Sequence, residues 1–265
     1  HGWGAEMNAS VLMEIKNRVA YITLNRPESF NAFDLELAEG LNQALGRCFQ
    51  PEVRAVVLTG GGKAFCAGGD LRRMSQAPSL SQALGQLTLG LNRAILDIRL
   101  LGKAVLAAVN GAAAGAGMSL ALACDIRLLS EQAKFKQAYT SSGLVPDGGW
   151  TLLAPELLGQ AKATELLLLD PLLNAEQALA LGLGLEIVPQ DQLLDRASQL
   201  AEGFAQGSLT AYAAAKALVN QSLLPALSAQ LELERQAMIR IGAGADAREG
   251  LAAFLAKRQP IFAKD

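Results

Sequence analysis

Ala104-Val105-Leu106-Ala107-Ala108-Val109-Asn110-Gly111-Ala112-Ala113-Ala114-Gly115-Ala116-Gly117 is a short apolar, β-leaning run that ends in a glycine-rich turn and passes into a stretch reading as helix. Earlier in the chain the same order occurs. Residues 55–59 lead through Phe65-Cys66-Ala67-Gly68-Gly69-Asp70 towards another helix start. The first amides of a helix have no intrahelical acceptor, so each turn can present free backbone N–H groups. Two such groups converging on one point would hold a carbonyl oxygen and, more strongly, the oxyanion it becomes in acyl-group chemistry.

Working outward, Val11–Lys16 and Val19–Leu24 are β-leaning runs around Asn17-Arg18, the length of a two-residue hairpin loop. Asp34 is placed to cap a helix running to about Cys48. A polar stretch at 75–86 precedes an apolar-periodic segment at 87–98, and strands are expected at 104–109 and 125–129 with a short helix at 117–123 between them. Strands alternating with helices favour a parallel, layered α/β sheet. From Asp147 the β signal fades, leaving 185–188 as a short exception. Helical periodicity then covers 193–206, 209–221, 225–241 and 247–256, with Pro225 suited to a first helical position. Such a tail either covers its own domain or packs on a neighbouring subunit.

The composition narrows the function. About half of the 265 residues are apolar (51%) and the net charge is −2, so no field draws in nucleic acid or a membrane surface, and a small-molecule substrate is expected. Cys48, Cys66 and Cys124 show no metal-type spacing and suit reduced thiols in a cytoplasmic protein. The only histidine is His1, within a 1–6 segment that looks like a vector-derived leader before a natural start at Met7. A working chain without histidine has no Ser-His or Cys-His pair and no histidine-bearing zinc site, so proton transfer falls to carboxylates, Tyr, Lys, Cys or water. Residues 104–124 carry no charge, but Asn110, Ser119 and the glycines interrupt them, so a strand, a turn and a core helix explain the run better than a membrane span. No secretory or lipidation signal is recognised.

Ile22-Thr23-Leu24-Asn25-Arg26-Pro27-Glu28, followed by Asn31-Ala32, resembles the opening signature of the crotonase, or enoyl-CoA hydratase/isomerase, superfamily. The resemblance continues in order through Ala64 to Leu71, Val109-Asn110-Gly111, Ala123 to Arg127, Gly143-Leu144-Val145-Pro146-Asp147 and Phe254 to Arg258. It implies a spiral of repeated β-β-α units at 7–200 and a C-terminal helical region at 201–265 used for trimerisation, with two trimers able to stack. It also implies a coenzyme A thioester as substrate, with no permanently bound cofactor and no metal. Carried over by position, the amides of Gly69 and Ala116 would be the oxyanion-hole donors, and Arg26, Ala67 and Leu71 would border the coenzyme A. Phe254 and Lys257, three apart on one helix face, would reach a coenzyme A bound at a neighbouring subunit, or simply pack on the surface.

Hydratases of the family use two glutamates, and the matching positions here are Ser119 and Tyr139. Ordinary hydration is therefore not expected. Asp147 resembles the acidic residue of several family isomerases, including those acting on ring-modified phenylacetyl-CoA, and would carry a proton from one carbon to another. Its other reading is a helix N-cap before Gly148-Gly149. Tyr139 orients substrate or water, or forms a pocket wall. Ser119 reads as a core hydroxyl bonded within its helix, Cys66 as a small buried side chain, and Arg72 and Arg73 as a solvated face or as partners of coenzyme A phosphates. The expected activity is enoyl-CoA isomerisation; the alternatives are a hydratase or decarboxylase with atypical acid and base groups, or a non-catalytic acyl-CoA binder.

Overall fold

The computed structural model describes residues 5–262, so the leader expected at 1–6 lies outside the described residues as far as residue 4. β1 (Ala5–Asn8) pairs antiparallel with β2 (Val11–Lys16), and β2 pairs with β3 (Val19–Leu24) from Val11 opposite Leu24 to Lys16 opposite Val19. The loop between β2 and β3 holds Asn17 and Arg18 at φ 50° and 66°, the left-handed pair of a tight hairpin turn. Asp34 caps α1 (Leu35–Arg47), its carboxylate accepting from the Leu37 amide at 2.8 Å.

Three β-β-α passages follow. β4 (Ala55–Gly60) and β5 (Ala64–Cys66) lead to α2 (Leu71–Met74) and α3 (Leu80–Leu100). β6 (Ala104–Val109) and β7 (Ala112–Ala114) lead to α4 (Ala116–Ala123). β8 (Ile126–Ser130) and β9 (Lys134–Lys136) lead to α5 (Trp150–Leu158), after which come α6 (Gln160–Leu169), α7 (Ala175–Ala180) and β10 (Glu186–Val188). In each passage the first strand joins a large sheet, ordered β1-β2-β3-β4-β6-β8-β10, and the second joins a smaller parallel one, β5-β7-β9. This is the expected spiral. The charge-free 104–124 run is β6, β7 and α4, and all eight residues of α4 are buried, which explains a helix apolar on every side. Among the described residues no helix is long and apolar enough to cross a membrane.

Strand alternation divides the core. Val56, Leu58, Val105 and Ala107 face α1, α3 and α4, whereas Val19, Ala55, Val57, Leu106 and Ala108 face α8 (Leu193–Gln206) through Leu193, Ala197, Ala201 and Ala205. The boundary expected at 200 therefore falls inside a helix that belongs to the sheet. α9 (Leu209–Gln221), α10 (Leu223–Gly242) and α11 (Ala245–Leu255) complete the chain.

The 75–86 stretch, to which the sequence assigns no element, takes a definite form, and one expectation needs correction. The polar stretch at 75–86 is helical from Leu80, because Ser79 caps it and α10 packs on it: Ser81 Oγ donates to the Ile239 carbonyl at 2.7 Å, and Gly242 leaves room for Leu84. Pro225 is the third residue of α10, not the first; its missing N–H would have had no helical acceptor at either place.

Candidate active site

The two glycine turns abut. Gly68 has φ 99°, and a Cβ there would lie 3.0 Å from the Ala114 carbonyl oxygen. Gly115 has φ 51°, and a Cβ there would lie 3.5 Å from Gly68 Cα. Only glycine takes these backbone angles without strain and lets the two loops touch. The first turn is held against Phe33, whose amide donates to the Gly68 carbonyl at 2.7 Å and whose carbonyl accepts from the Asp70 amide at 2.9 Å. Backbone groups alternate in direction along an extended segment, so the amide of Gly69 faces away from Phe33. Ala116 is the first residue of α4, where an amide has no helical acceptor. Among the described residues neither amide donates a hydrogen bond to the protein. Both residues line a single cavity of about 110 Å³.

Apolar side chains of Phe33, Leu71, Met74, Leu84, Leu87, Leu91, Leu144 and Met238 form most of its wall, and Asp147 is the one charged residue on it. Asp147 is 7% exposed. Its Oδ1 accepts from the Tyr139 hydroxyl at 2.6 Å and its Oδ2 from the Thr88 hydroxyl at 2.9 Å. Burial raises its pKa above the ordinary carboxylate value, and the two hydrogen bonds oppose that rise. The Tyr139 phenol is pushed well above its own usual value, first by burial and then by the neighbouring carboxylate.

The N-cap reading of Asp147 does not hold, since both of its oxygens are taken by hydroxyls. Glu234, from α10, takes that place: its Oε2 accepts from the Gly149 amide at 2.7 Å and its Oε1 from the Thr151 amide at 2.9 Å and the Thr151 hydroxyl at 2.5 Å. Gly148 and Gly149, at φ 64° and 78°, carry the chain through a gap in which a Cβ on Gly148 would lie 2.7 Å from Leu91 Cδ2 and 2.8 Å from Ser119 Cβ.

Of the other expected residues, Ala67, Leu71, Tyr139 and Phe254 line the cavity, and Phe254 does so within its own chain. Arg26 does not line it. Its guanidinium is buried against Asp34 at 3.0 Å, Asp70 at 2.9 Å and the Ala32 carbonyl, so it ties α1 to the first glycine turn. Lys257 lies just beyond α11 at φ 52°, also away from the lining. Ser119 reaches outside its helix, donating to the Asp147 carbonyl at 2.7 Å more closely than to Gly115 at 3.5 Å. Cys66 is fully buried and its thiol is pushed up to about 12, which leaves it unreactive. Arg73 pairs with Asp34, and Arg72 is exposed.

Thr88 and Glu234 were missed, although each interrupts an apolar stripe: Thr88 between Leu84 and Leu91 on α3, Glu234 between Leu231 and Met238 on α10. Among the described residues no cluster of His, Cys, Asp and Glu is assembled to hold a metal ion.

Known proteins resemble this chain over nearly its full length. Residues 14–265 match the model of the family described as enoyl-CoA hydratase/isomerase. The 1,2-epoxyphenylacetyl-CoA isomerase of Escherichia coli (strain K12) is 38% identical over 258 residues, covering 95% of this chain and 97% of that protein. A probable enoyl-CoA hydratase of Rhodobacter capsulatus is 41% identical over 254 residues, covering 96% and 97%. The crystal structure of an enoyl-CoA hydratase from Mycobacterium avium subsp. paratuberculosis superposes with a TM-score of 0.87 at 32% identity, covering 97% of this chain and 99% of that one. With its spiral of β-β-α units and a match of this extent, the chain belongs to the enoyl-CoA hydratase/isomerase, or crotonase, family of enzymes.

Proposed function

We propose that the protein is an enoyl-CoA isomerase that moves a double bond into conjugation with the thioester. The amides of Gly69 and Ala116 bind the thioester oxygen. The Asp147 carboxylate takes a proton from C2 of a 3-enoyl thioester, and the electron pair passes to the carbonyl oxygen to give a dienolate whose charge the two amides hold. Asp147, now protonated, returns the proton at C4, which leaves the double bond between C2 and C3. Coenzyme A enters as part of the substrate, with Ala67 and Leu71 along its path.

The observation that carries this reading is the single carboxylate on the cavity wall. Moving one proton between two carbons of the same substrate needs one base, whereas adding water needs a group that activates water and another that protonates carbon. By the family resemblance Ser119 and Tyr139 match the hydratase glutamates in position, and both are hydrogen-bonded to Asp147. The Escherichia coli relative is by name an isomerase of another acyl-CoA, 1,2-epoxyphenylacetyl-CoA, which supports isomerisation as the reaction class, and the hydratases among the relatives define the competing reaction. The assembly that goes with this reading is a homotrimer, alone or stacked in pairs.

Conjugated product from a 3-enoyl-CoA, followed by ultraviolet absorbance, tests the reading. Asp147→Asn should lower kcat by about a hundredfold or more with little change in KM. Hydration of crotonyl-CoA outpacing isomerisation, or a fully active Asp147→Asn variant, would overturn it.

A further inference from the structure

Glu234 is 4% exposed and belongs to the C-terminal helical region, far along the chain from Asp147 and the glycine turns. It does not line the cavity. Its carboxylate instead closes the open start of α5, the helix that follows Asp147, by taking the amides of Gly149 and Thr151 and the Thr151 hydroxyl. Gln230, one turn earlier on α10, donates to the same hydroxyl at 2.7 Å and completes the junction. A helix start ordinarily receives its cap from the residue just before it. Here that residue, Gly149, has no side chain, and Asp147 is turned away towards Tyr139 and Thr88.

We propose that Glu234 is a positioning residue of the active site: by holding the Gly148-Gly149 turn from the opposite side, it frees the Asp147 carboxylate from capping and keeps it on the cavity wall. The chemistry that follows rests on the reading of Asp147 as the base. Both glycines have left-handed backbone angles, so the turn has little stiffness of its own, and the anchor comes from α10. Of the charged groups on the elements around Glu234, Arg93 pairs with Asp97 and Arg99 with Asp125 from α3, Lys216 of α9 with Asp125, Glu249 of α11 with Arg258, and Arg235 with Glu232 on α10 itself, while Glu156 of α5, Arg240 of α10 and Asp246 and Arg248 of α11 are not among the groups acting on its carboxyl. Asp147 and the Tyr139 phenol are the titratable groups coupled to it. Burial pushes the Glu234 carboxyl up to about 7, with Asp147 adding to the rise, so the anchor loses its charge as the pH falls through neutrality.

Two measurements on wild type and Glu234→Gln decide the matter. The first is NMR hydrogen exchange at the Gly149 and Thr151 amides, expressed as protection relative to the free peptide, which needs no substrate. For an opening that parts the turn from a carboxylate still buried on α10, the amide bonds favour the charged form, so protection in the wild type should fall as the pH drops through about 7, and in the Glu234→Gln variant it should be about tenfold lower and independent of pH in that range. The second is the pH profile of isomerisation, in which the variant should lose kcat about tenfold, keep its KM and lack the wild-type limb near 7. If the Glu234→Gln variant fails to fold, the wild-type exchange profile alone still decides. Amides equally protected in both proteins, or a wild-type profile flat through neutrality, would overturn the proposal. Loosened amides in a variant whose wild-type parent turns over no 3-enoyl thioester would confirm the anchor and sink Asp147 as the base.

Discussion

Tyr139 and Thr88 both donate to Asp147, so each stabilises its charged form and lowers a pKa that burial raises. Removing either hydroxyl must move the titration of Asp147 upward. Tyr139→Phe and Thr88→Val are therefore expected to shift the acid limb of kcat/KM towards alkaline pH, and to lower kcat by roughly tenfold as the carboxylate loses its orientation. Stopped-flow rates across the pH range check both; a limb moving to lower pH would contradict the assignment. Arg26 makes a different prediction. It was expected to border coenzyme A, but its guanidinium is buried between Asp34 and Asp70, so Arg26→Met should cost about 3–5 kcal/mol in urea unfolding and leave coenzyme A affinity unchanged. Position in a motif told which arginine matters, whereas its partners became visible only when α1 and the first glycine turn came together.

α4 packs on β5 so closely that a Cβ on Gly117 would lie 2.0 Å from the Cys66 carbonyl oxygen. Gly117→Ala should therefore destabilise the protein by about 3 kcal/mol in chemical denaturation, since the contact is backbone and cannot swing away. At the junction of α10 and α5 the effect depends on pH. Glu234 is held protonated up to about 7 in the folded chain, above its value in the unfolded chain, so its contribution to stability is full below the unfolded value and is lost as the pH rises through about 7. The loss is of order 3 kcal/mol. Unfolding measured at about pH 5 and about pH 8 should show a steeper decline in the wild type than in Glu234→Gln. The hairpin, the parallel strands and most helices were legible because period and capping are local signals. The helical start at Leu80 was not, since residues 80–86 are ordered by α10, more than a hundred and fifty positions away along the chain. Thr88 and Glu234 were readable in principle as polar breaks in apolar stripes, but which group each would meet depends on the tertiary fold.

In the whole molecule, the spiral sends one strand of each β-β-α unit into the large sheet and the next into the small one, which brings two distant glycine turns side by side. The order of the family motifs made that arrangement legible; the cavity wall was not, because α3, α10 and α11 contribute to it from separate parts of the chain. Leu168, Leu169, Leu218 and Val219 remain exposed on outer helices, and such apolar surface fits the proposed homotrimer. Light scattering should then give three times the 27.8 kDa of the chain, or six times if trimers stack, and a monomer would refute it. The proposed chemistry depends above all on two backbone amides serving one oxygen. A crystal structure of the protein with a non-hydrolysable enoyl-CoA thioester analogue measures this directly. The account predicts the carbonyl oxygen at about 2.7–3.1 Å from both the Gly69 and the Ala116 nitrogen. An oxygen bonded to only one of them, or to neither, would contradict it.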